Sequence, residues 1–306
     1  MAAGNNIAYI PGNKIDREKW DRCISEASNG LIYAHSSYLD QMAKNWDALV
    51  MDDYKAVMPL TWNRKYSIDY LYQPFVCAQL GLFGNNLNAN LLENFLKSIP
   101  EKFRYWDIYL NQQNVFGVKD WPIYSRANFV LDLSYSHESI YKKYRENIRR
   151  NVKKAVQLNF KIEKNIPVAE VIALARQQMK TYSDKKGDFE NFEKLYSTLR
   201  KKQMAETYGV LSEKKQLLAS AVFFYSHSRA YYILVGNHPD GRTLGASHFL
   251  IDAFIKENAG KKLLLDFEGS DIRNLAFFYS SFGAVEEKYA AIKLNRLPRV
   301  LKWMKK

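Results

Sequence analysis

Two carboxylates, Asp266 and Glu268, stand two residues apart in "LLLDFEGSDIRNLAFFYSSFGA" (263–284), where a dry apolar run breaks into an acidic turn and resumes as an aromatic-rich helix. A carboxylate at a strand end can take the proton that an amine must lose when it attacks a carbonyl carbon, directly or through water. Strand alternation puts both side chains on one face. Glu268 is the better base; Asp266 is a second candidate, though a structural role, capping the following helix or simply exposed, suits it better. Ser270 or Asp271 also stands where a cap is wanted, and Gly283 where a helix end favours a left-handed residue.

A second concentration of chemistry is cationic. Lys142, Lys143, Arg145, Arg149, Arg150, Lys153 and Lys154 surround an apolar stripe of Tyr141, Tyr144, Ile148, Val152 and Ala155 at helical spacing. Such a face is either a solvated surface or a seat for an anionic partner. Compatible partners are tRNA, coenzyme A, a nucleotide- or lipid-linked precursor, and an anionic membrane surface. Contacts to phosphates would weaken steeply as salt rises. The C-terminal "NRLPRVLKWMKK" adds five more cations.

Other reactive residue types offer less. The five histidines show no metal-ligand spacing. They read as surface or turn residues, with His238 the one nearest a pocket. Cys23 and Cys77 form neither a disulfide framework nor a metal pattern, and no Gly-x-Ser-x-Gly nucleophile elbow is present. Direct transfer without a covalent enzyme intermediate, and without a metal, fits these residues.

The elements that must position these groups follow from composition and periodicity. A chain of 306 residues, 47% hydrophobic and 25% charged, reads as a globular protein of two domains. It lacks a basic n-region followed by an apolar h-region, and its apolar runs are too short to span a bilayer. A cytoplasmic protein is expected, one that could sit peripherally on the inner face of the membrane. The net charge of +13 is uneven: residues 1–130 carry 13 basic and 13 acidic groups, the remainder 32 and 19. A neutral half joined to a basic half suggests different tasks.

Both halves run helix, antiparallel strands, loop, helix, strand. In the second, strands at "TYGVLSE", "LLASAVFFY" and "AYYILVG" lead through the loop "NHPDGRT" to the helix "LGASHFLIDAFIKENAG" and the strand "KKLLLDF". A strand–helix–strand crossover makes the last strand of each half parallel to an earlier one. The expectation is an α+β protein with two mixed, mostly antiparallel sheets flanked by helices. Residues 1–130 form one domain and 131–306 the other.

Three stretches carry a family resemblance: "LDLSYSHESIYKKYRENIRRNVKKA", "YYILVGNHPDGRTLGASHFLIDAFIKENAGKK" and the acidic turn with its aromatic helix. Together the chain resembles the FemABX-type transferases, built from two tandem GNAT-fold domains. The resemblance covers about residues 130–290; earlier residues match only in the order of elements. It implies acyl transfer to a small-molecule or peptide amine, from acyl-coenzyme A or from aminoacyl-tRNA to a cell-wall peptide precursor. It also implies a donor side in the second domain, an acceptor side in the first, and a tail returning to the first.

The family's phosphate-binding pattern, Arg/Gln-x-x-Gly-x-Gly/Ala, falls on Arg242 to Ser247: Arg242 and Gly245 match, Ala246 takes the variable place, and Ser247 stands where Gly or Ala is usual. Small residues there would let backbone amides approach a pyrophosphate; the alternative is a turn entering a helix. The resemblance further makes Tyr279 an acid for the leaving group, against a half-buried core tyrosine with a wet hydroxyl. A non-catalytic binder of nucleic acid or anionic lipid is the reading that uses the basic helix alone. Oligomeric state is not legible.

Overall fold

The computed structural model describes residues 6–114, 117, 121–179, 187–269 and 271–298. The chain begins with β1 (Ile7–Ile10), α1 (Arg17–Glu26), α2 (Ser36–Met42), β2 (Asn45–Met51), β3 (Ala56–Lys65) and β4 (Ile68–Tyr72). Then come β5 (Phe83–Gly84), α3 (Ala89–Lys97), β6 (Phe103–Tyr109), β7 (Ile123–Asp132), α4 (His137–Lys142) and α5 (Glu146–Gln157). Next are β8 (Lys161–Lys164), α6 (Val168–Gln178), α7 (Asp188–Lys201), β9 (Ala205–Leu211), β10 (Leu217–Ser226) and β11 (Arg229–Asn237). The last elements are α8 (Pro239–Leu244), α9 (Ala246–Asn258), β12 (Leu264–Asp266), α10 (Arg273–Ser280) and β13 (Val285–Asn295).

The described residues fall into two compact units. One comprises those up to Arg126 together with those from Lys288 onward; the other is Ala127–Glu287. The division thus differs from a cut after residue 130, because Ala291–Asn295 of β13 pair antiparallel with Tyr105–Tyr109 of β6. The tail beyond residue 298, where its Leu301 and Trp303 stand, lies outside the described residues.

The α+β architecture is repeated. In the first unit the strands lie in the order β1-β2-β3-β4-β6-β13, with β5 on β3, and only β4 and β6 run parallel. The second unit's order is β8-β9-β10-β11-β12-β7, with only β11 and β12 parallel. Each parallel pair is joined by a crossover that contains a helix, α3 or α9, as a parallel connection requires. The repeated order of elements along the chain therefore reflects a repeated topology.

Packing in the second unit centres on α9. Leu250, Ile251, Phe254 and Ile255 are buried on it, and Phe254 stacks on Phe223 of β10 with ring centroids 3.8 Å apart and 7° between planes. Helix α5 closes over α9 with Ile148, Val152 and Ala155, the stripe legible in the sequence. The cationic stretch is two helices, however. Arg145 leaves the helical conformation (ψ 157°) and its N–H donates to Ser281 O at 2.9 Å, a tertiary bond that periodicity cannot anticipate. The expected loop "NHPDGRT" likewise contains most of α8, started by the His238 side chain accepting from Asp240 N–H and closed by Gly245 at φ 80°.

Truncating Phe254 to Ala removes a fully buried ring from this core. Urea unfolding should show a loss of about 3–5 kcal/mol; a loss below about 1 kcal/mol would mean the ring stack is not where the second unit's stability resides.

Candidate active site

The site begins with two departures from regular sheet. Strands β11 and β12 pair only over Arg229–Tyr231 and Leu264–Asp266. Beyond that point β11 continues to Asn237, while the other strand turns away through Phe267, Glu268 at φ 63° and Gly269 at φ 84°. On its other edge, β11 slips register against β10: Val222 faces Leu234 and Phe223 faces Tyr232, so Ile233 has no partner. Such a bulge leaves a residue outside the ladder and re-aims its neighbours. Tyr232, Ile233, Leu234 and Val235 consequently all border one cavity of about 530 Å³.

The opposite walls come from four places. Phe267, Glu268 and Gly269 follow β12; Leu275, Phe278 and Tyr279 lie on α10; Ser247 and His248 sit in the first turn of α9. Gln178 and Met179 end α6, and Arg242 reaches in from α8. The cavity therefore joins Glu268, Tyr279, Arg242 and Ser247, four of the residues singled out from the sequence.

Asp266 is not one of them. It is 2% exposed and both of its oxygens are occupied. Oδ1 accepts from Asn128 Nδ2 at 3.0 Å and from Glu268 N–H at 2.8 Å, and Oδ2 accepts from Arg229 Nη1 at 2.8 Å. Arg229 in turn donates to Glu287 through both terminal nitrogens, at 3.1 and 2.8 Å. Burial raises the Asp266 carboxyl above the usual carboxylate range, with the Arg229 charge opposing. Asp266 anchors the backbone on which Glu268 is mounted, so its expected place in the reacting set is corrected to a supporting one. The shared-face expectation fails for the same reason: β12 ends at Asp266, and Glu268 adopts a left-handed conformation that breaks the alternation.

Tyr279 is buried and stacks on Phe267, ring centroids 4.6 Å apart. Burial, and then the charge of Glu268, push its phenol well above the ordinary tyrosine value. It is a protonated group facing a carboxylate across one cavity. The helix carrying it starts without a side-chain cap: Ile272 is the N-cap residue, and Asp271 Oδ1 instead accepts from Ala127 N–H. Ser270 lies outside the described residues.

The phosphate-cradle expectation is corrected in part. The N–H of Gly245 donates to Gly241 O to close α8, and a Cβ added there would sit 2.8 Å from Asn151 O on α5. Gly245 and Ala246 are buried and absent from the cavity wall. Arg242 and Ser247 do face it. Ser247 Oγ donates to Asn237 Oδ1, and Asn237 Nδ2 donates to Gln178 Oε1 at 3.2 Å, a polar line along one wall.

Most of the seven cations have partners on the protein itself. Lys142 pairs with Glu138 at 2.8 Å, and Lys143 lies 4.8 Å over the Tyr135 ring. Arg145 is stacked 4.6 Å over Phe277, and Arg149 donates to Lys142 O at 2.7 Å. Lys154 donates to Thr243 O at 3.1 Å, while Arg150 and Lys153 are less engaged: Lys153 is exposed, as is Arg150.

The sequence reading missed His248. Its Nδ1 is buried with no hydrogen-bond partner among the described residues, and its ring meets the Phe278 ring edge-on at 5.0 Å. His238, favoured instead, caps α8 and does not line the cavity. The usable signal was position: His248 follows Ser247 in the first turn of the crossover helix. Among the described residues, no cluster of three His, Cys, Asp or Glu side chains could hold a metal ion, and no helix is long and apolar enough to cross a membrane.

Residues 142–271 match the model of the acetyltransferase (GNAT) domain family. The structure is similar to that of FemX, at 13% identity over 95% of this chain and 98% of that one, with a TM-score of 0.63. It is similar to L-PGS from Bacillus licheniformis, 14% identical over 94% of each chain with a TM-score of 0.56. A tandem GNAT protein from the clavulanic acid biosynthesis pathway is 10% identical over 96% of this chain and 99% of that one, with a TM-score of 0.52. No curated protein matches the sequence.

Burial lowers the His248 pKa to about 4, so the ring is neutral near pH 7. The unfolded chain binds this proton below about pH 6.5, the folded chain only near pH 4. Stability from this residue is therefore complete above pH 6.5 and lost as pH falls towards 4, on the order of 3 kcal/mol. His248→Leu should flatten that part of a plot of unfolding free energy against pH, and an unchanged slope would place the acid sensitivity elsewhere.

Proposed function

We propose that the chain is an N-acyltransferase, a reading supported by its likeness in fold to tandem GNAT structures and by the acetyltransferase (GNAT) domain match. It moves an activated acyl group from an acyl-coenzyme A donor to an amine on a small molecule or peptide. The donor's carbonyl carbon lies in the cavity between β11 and the chain after β12. The amine nitrogen attacks that carbon and gives its proton to Glu268. The oxyanion is held by backbone N–H groups released from the ladder at the Ile233 bulge. The carbon–sulfur bond then breaks, and Tyr279 protonates the departing thiolate.

One observation carries this reading: the strand separation brings a carboxylate, a protonated phenol and a bulged backbone segment to a single cavity. Arg242 and Ser247 on the wall are available to an anionic donor, with the dipole of α9 behind them.

A second reading keeps the chemistry and changes the donor to aminoacyl-tRNA, with a cell-wall peptide precursor as acceptor. What favours it is Gly245, whose amide closes α8 and so is missing from any pyrophosphate cradle. The leaving atom would then be a ribose oxygen.

Purified protein given acetyl-coenzyme A and a panel of amines should release free thiol. Glu268→Gln should lower the rate about 10²–10⁴-fold with an unchanged melting temperature. A Glu268→Gln variant as active as the parent removes Glu268 from the mechanism. Failure of every acyl-coenzyme A, with transfer from aminoacyl-tRNA to an amine, replaces the first donor by the second.

A further inference from the structure

Among the described residues nine large apolar side chains are exposed, and three of them, Ile272, Leu275 and Phe277, lie within one turn and a half of chain at α10. Their exposures are 63%, 40% and 51%. Helix α10 is otherwise committed: Phe278 and Tyr279 turn into the cavity and the hydrophobic core. Leu275, two residues from Phe277, stands on the cavity side as well, so the outward flank left apolar and wet is that of Ile272 and Phe277.

This flank continues into cations. Arg273 precedes Phe277 by four residues and so shares its face of the helix. The Arg145 guanidinium lies 4.6 Å over the Phe277 ring, and its N–H is tied to Ser281 O. The Lys143 side chain passes beside Gly283, and its ammonium sits 4.8 Å over the half-exposed Tyr135 ring. The run Arg273, Phe277, Arg145, Lys143, Tyr135 is thus one strip of alternating cationic and aromatic character. The acidic residues beside it include Asp132, which Lys143 attracts and whose Oδ1 accepts from Ser134 N–H; Glu138, paired with Lys142; Glu146; and Asp271, whose Oδ1 accepts from Ala127 N–H.

We propose that the outward flank of α10, with the turn between α4 and α5, docks on the surface of an anionic lipid bilayer. Ile272 and Phe277 enter the boundary between headgroups and acyl chains, and Arg145, Lys143 and Arg273 meet the lipid phosphates. Both halves of the strip are then satisfied by one partner, since an interfacial segment binds through apolar area and cationic attraction together. RNA fits the strip less well. Its phosphates would take the cations but leave Ile272 in water, and one face of Phe277 is already covered by Arg145, which hinders stacking of a base. Because Leu275 also borders the cavity, docking sets the cavity rim against the headgroups. The proposal stands independently of the donor and of acyl transfer itself.

The test is sedimentation of the full chain with vesicles of equimolar phosphatidylcholine and phosphatidylglycerol, and with phosphatidylcholine alone. Binding should be confined to the anionic vesicles and weaken as salt rises. Ile272→Ser combined with Phe277→Ser should reduce it about tenfold or more, and Arg145→Gln about fivefold. Lys194→Gln, on the exposed surface of α7, should bind as the parent does. Circular dichroism and melting temperature, unchanged in all variants, exclude misfolding as the cause. Absence of sedimentation, sedimentation indifferent to Ile272 and Phe277, or a tRNA complex lost in the same variants while vesicles are ignored, would each overturn the proposal.

Discussion

Asp266 is a carboxylate with almost no contact with water, held by Arg229, Asn128 and the Glu268 backbone. A charge taken so far out of water is tolerable only with its partners in place; removing one partner of such a pair costs roughly 3–5 kcal/mol. That constraint pins the end of β12 at the point where it parts from β11. It also holds the N–H of Glu268, whose left-handed backbone would otherwise be an uncommon conformation for a residue other than glycine. The side chain that faces the cavity is aimed by the one that does not. Arg229 extends the arrangement to Glu287, so one guanidinium ties together β11, the end of β12 and the start of β13.

The first unit, with the same order of strands, shows what this parting achieves. There β4 stays paired with β6 up to Tyr72 opposite Asp107, the last residue of β4. Strand β11 instead runs on for its last six residues without β12. The crossover helices differ too. Asn88 caps α3 with its side chain, accepting from Leu91 N–H, whereas α9 begins at Gly245 with no side-chain cap. One topology thus appears once with its helix start and strand ends satisfied internally, and once with both left open beside a cavity. The uneven charge of the two halves agrees with that asymmetry.

What could be read from sequence was what depends on local periodicity. The stripe Ile148, Val152, Ala155 is buried as its spacing requires, Gly283 takes positive φ at the end of α10, and both crossovers give parallel pairs. What escaped was set by distant partners. The break at Arg145 follows from a bond to Ser281, the burial of Gly245 from contact with Asn151, and the supporting role of Asp266 from Arg229, which precedes it by 37 residues. His248 escaped because a lone histidine on a helix carries no pattern. Only the strand separation makes its position matter.

Glu268 and Tyr279 are coupled through space as well as by shared walls. The carboxylate charge is one of the causes that raise the phenol's pKa, and the surroundings, Phe267, Phe278, Leu275 and Ile233, screen that charge poorly. In the proposed reaction Glu268 loses its charge when it takes the amine's proton. The same event withdraws the influence that made Tyr279 hold its own proton more tightly. The phenol therefore becomes a stronger acid after the nucleophile has been activated, when a leaving group needs a proton. Two residues would in this way act in sequence, the order imposed by electrostatics rather than by movement of the chain.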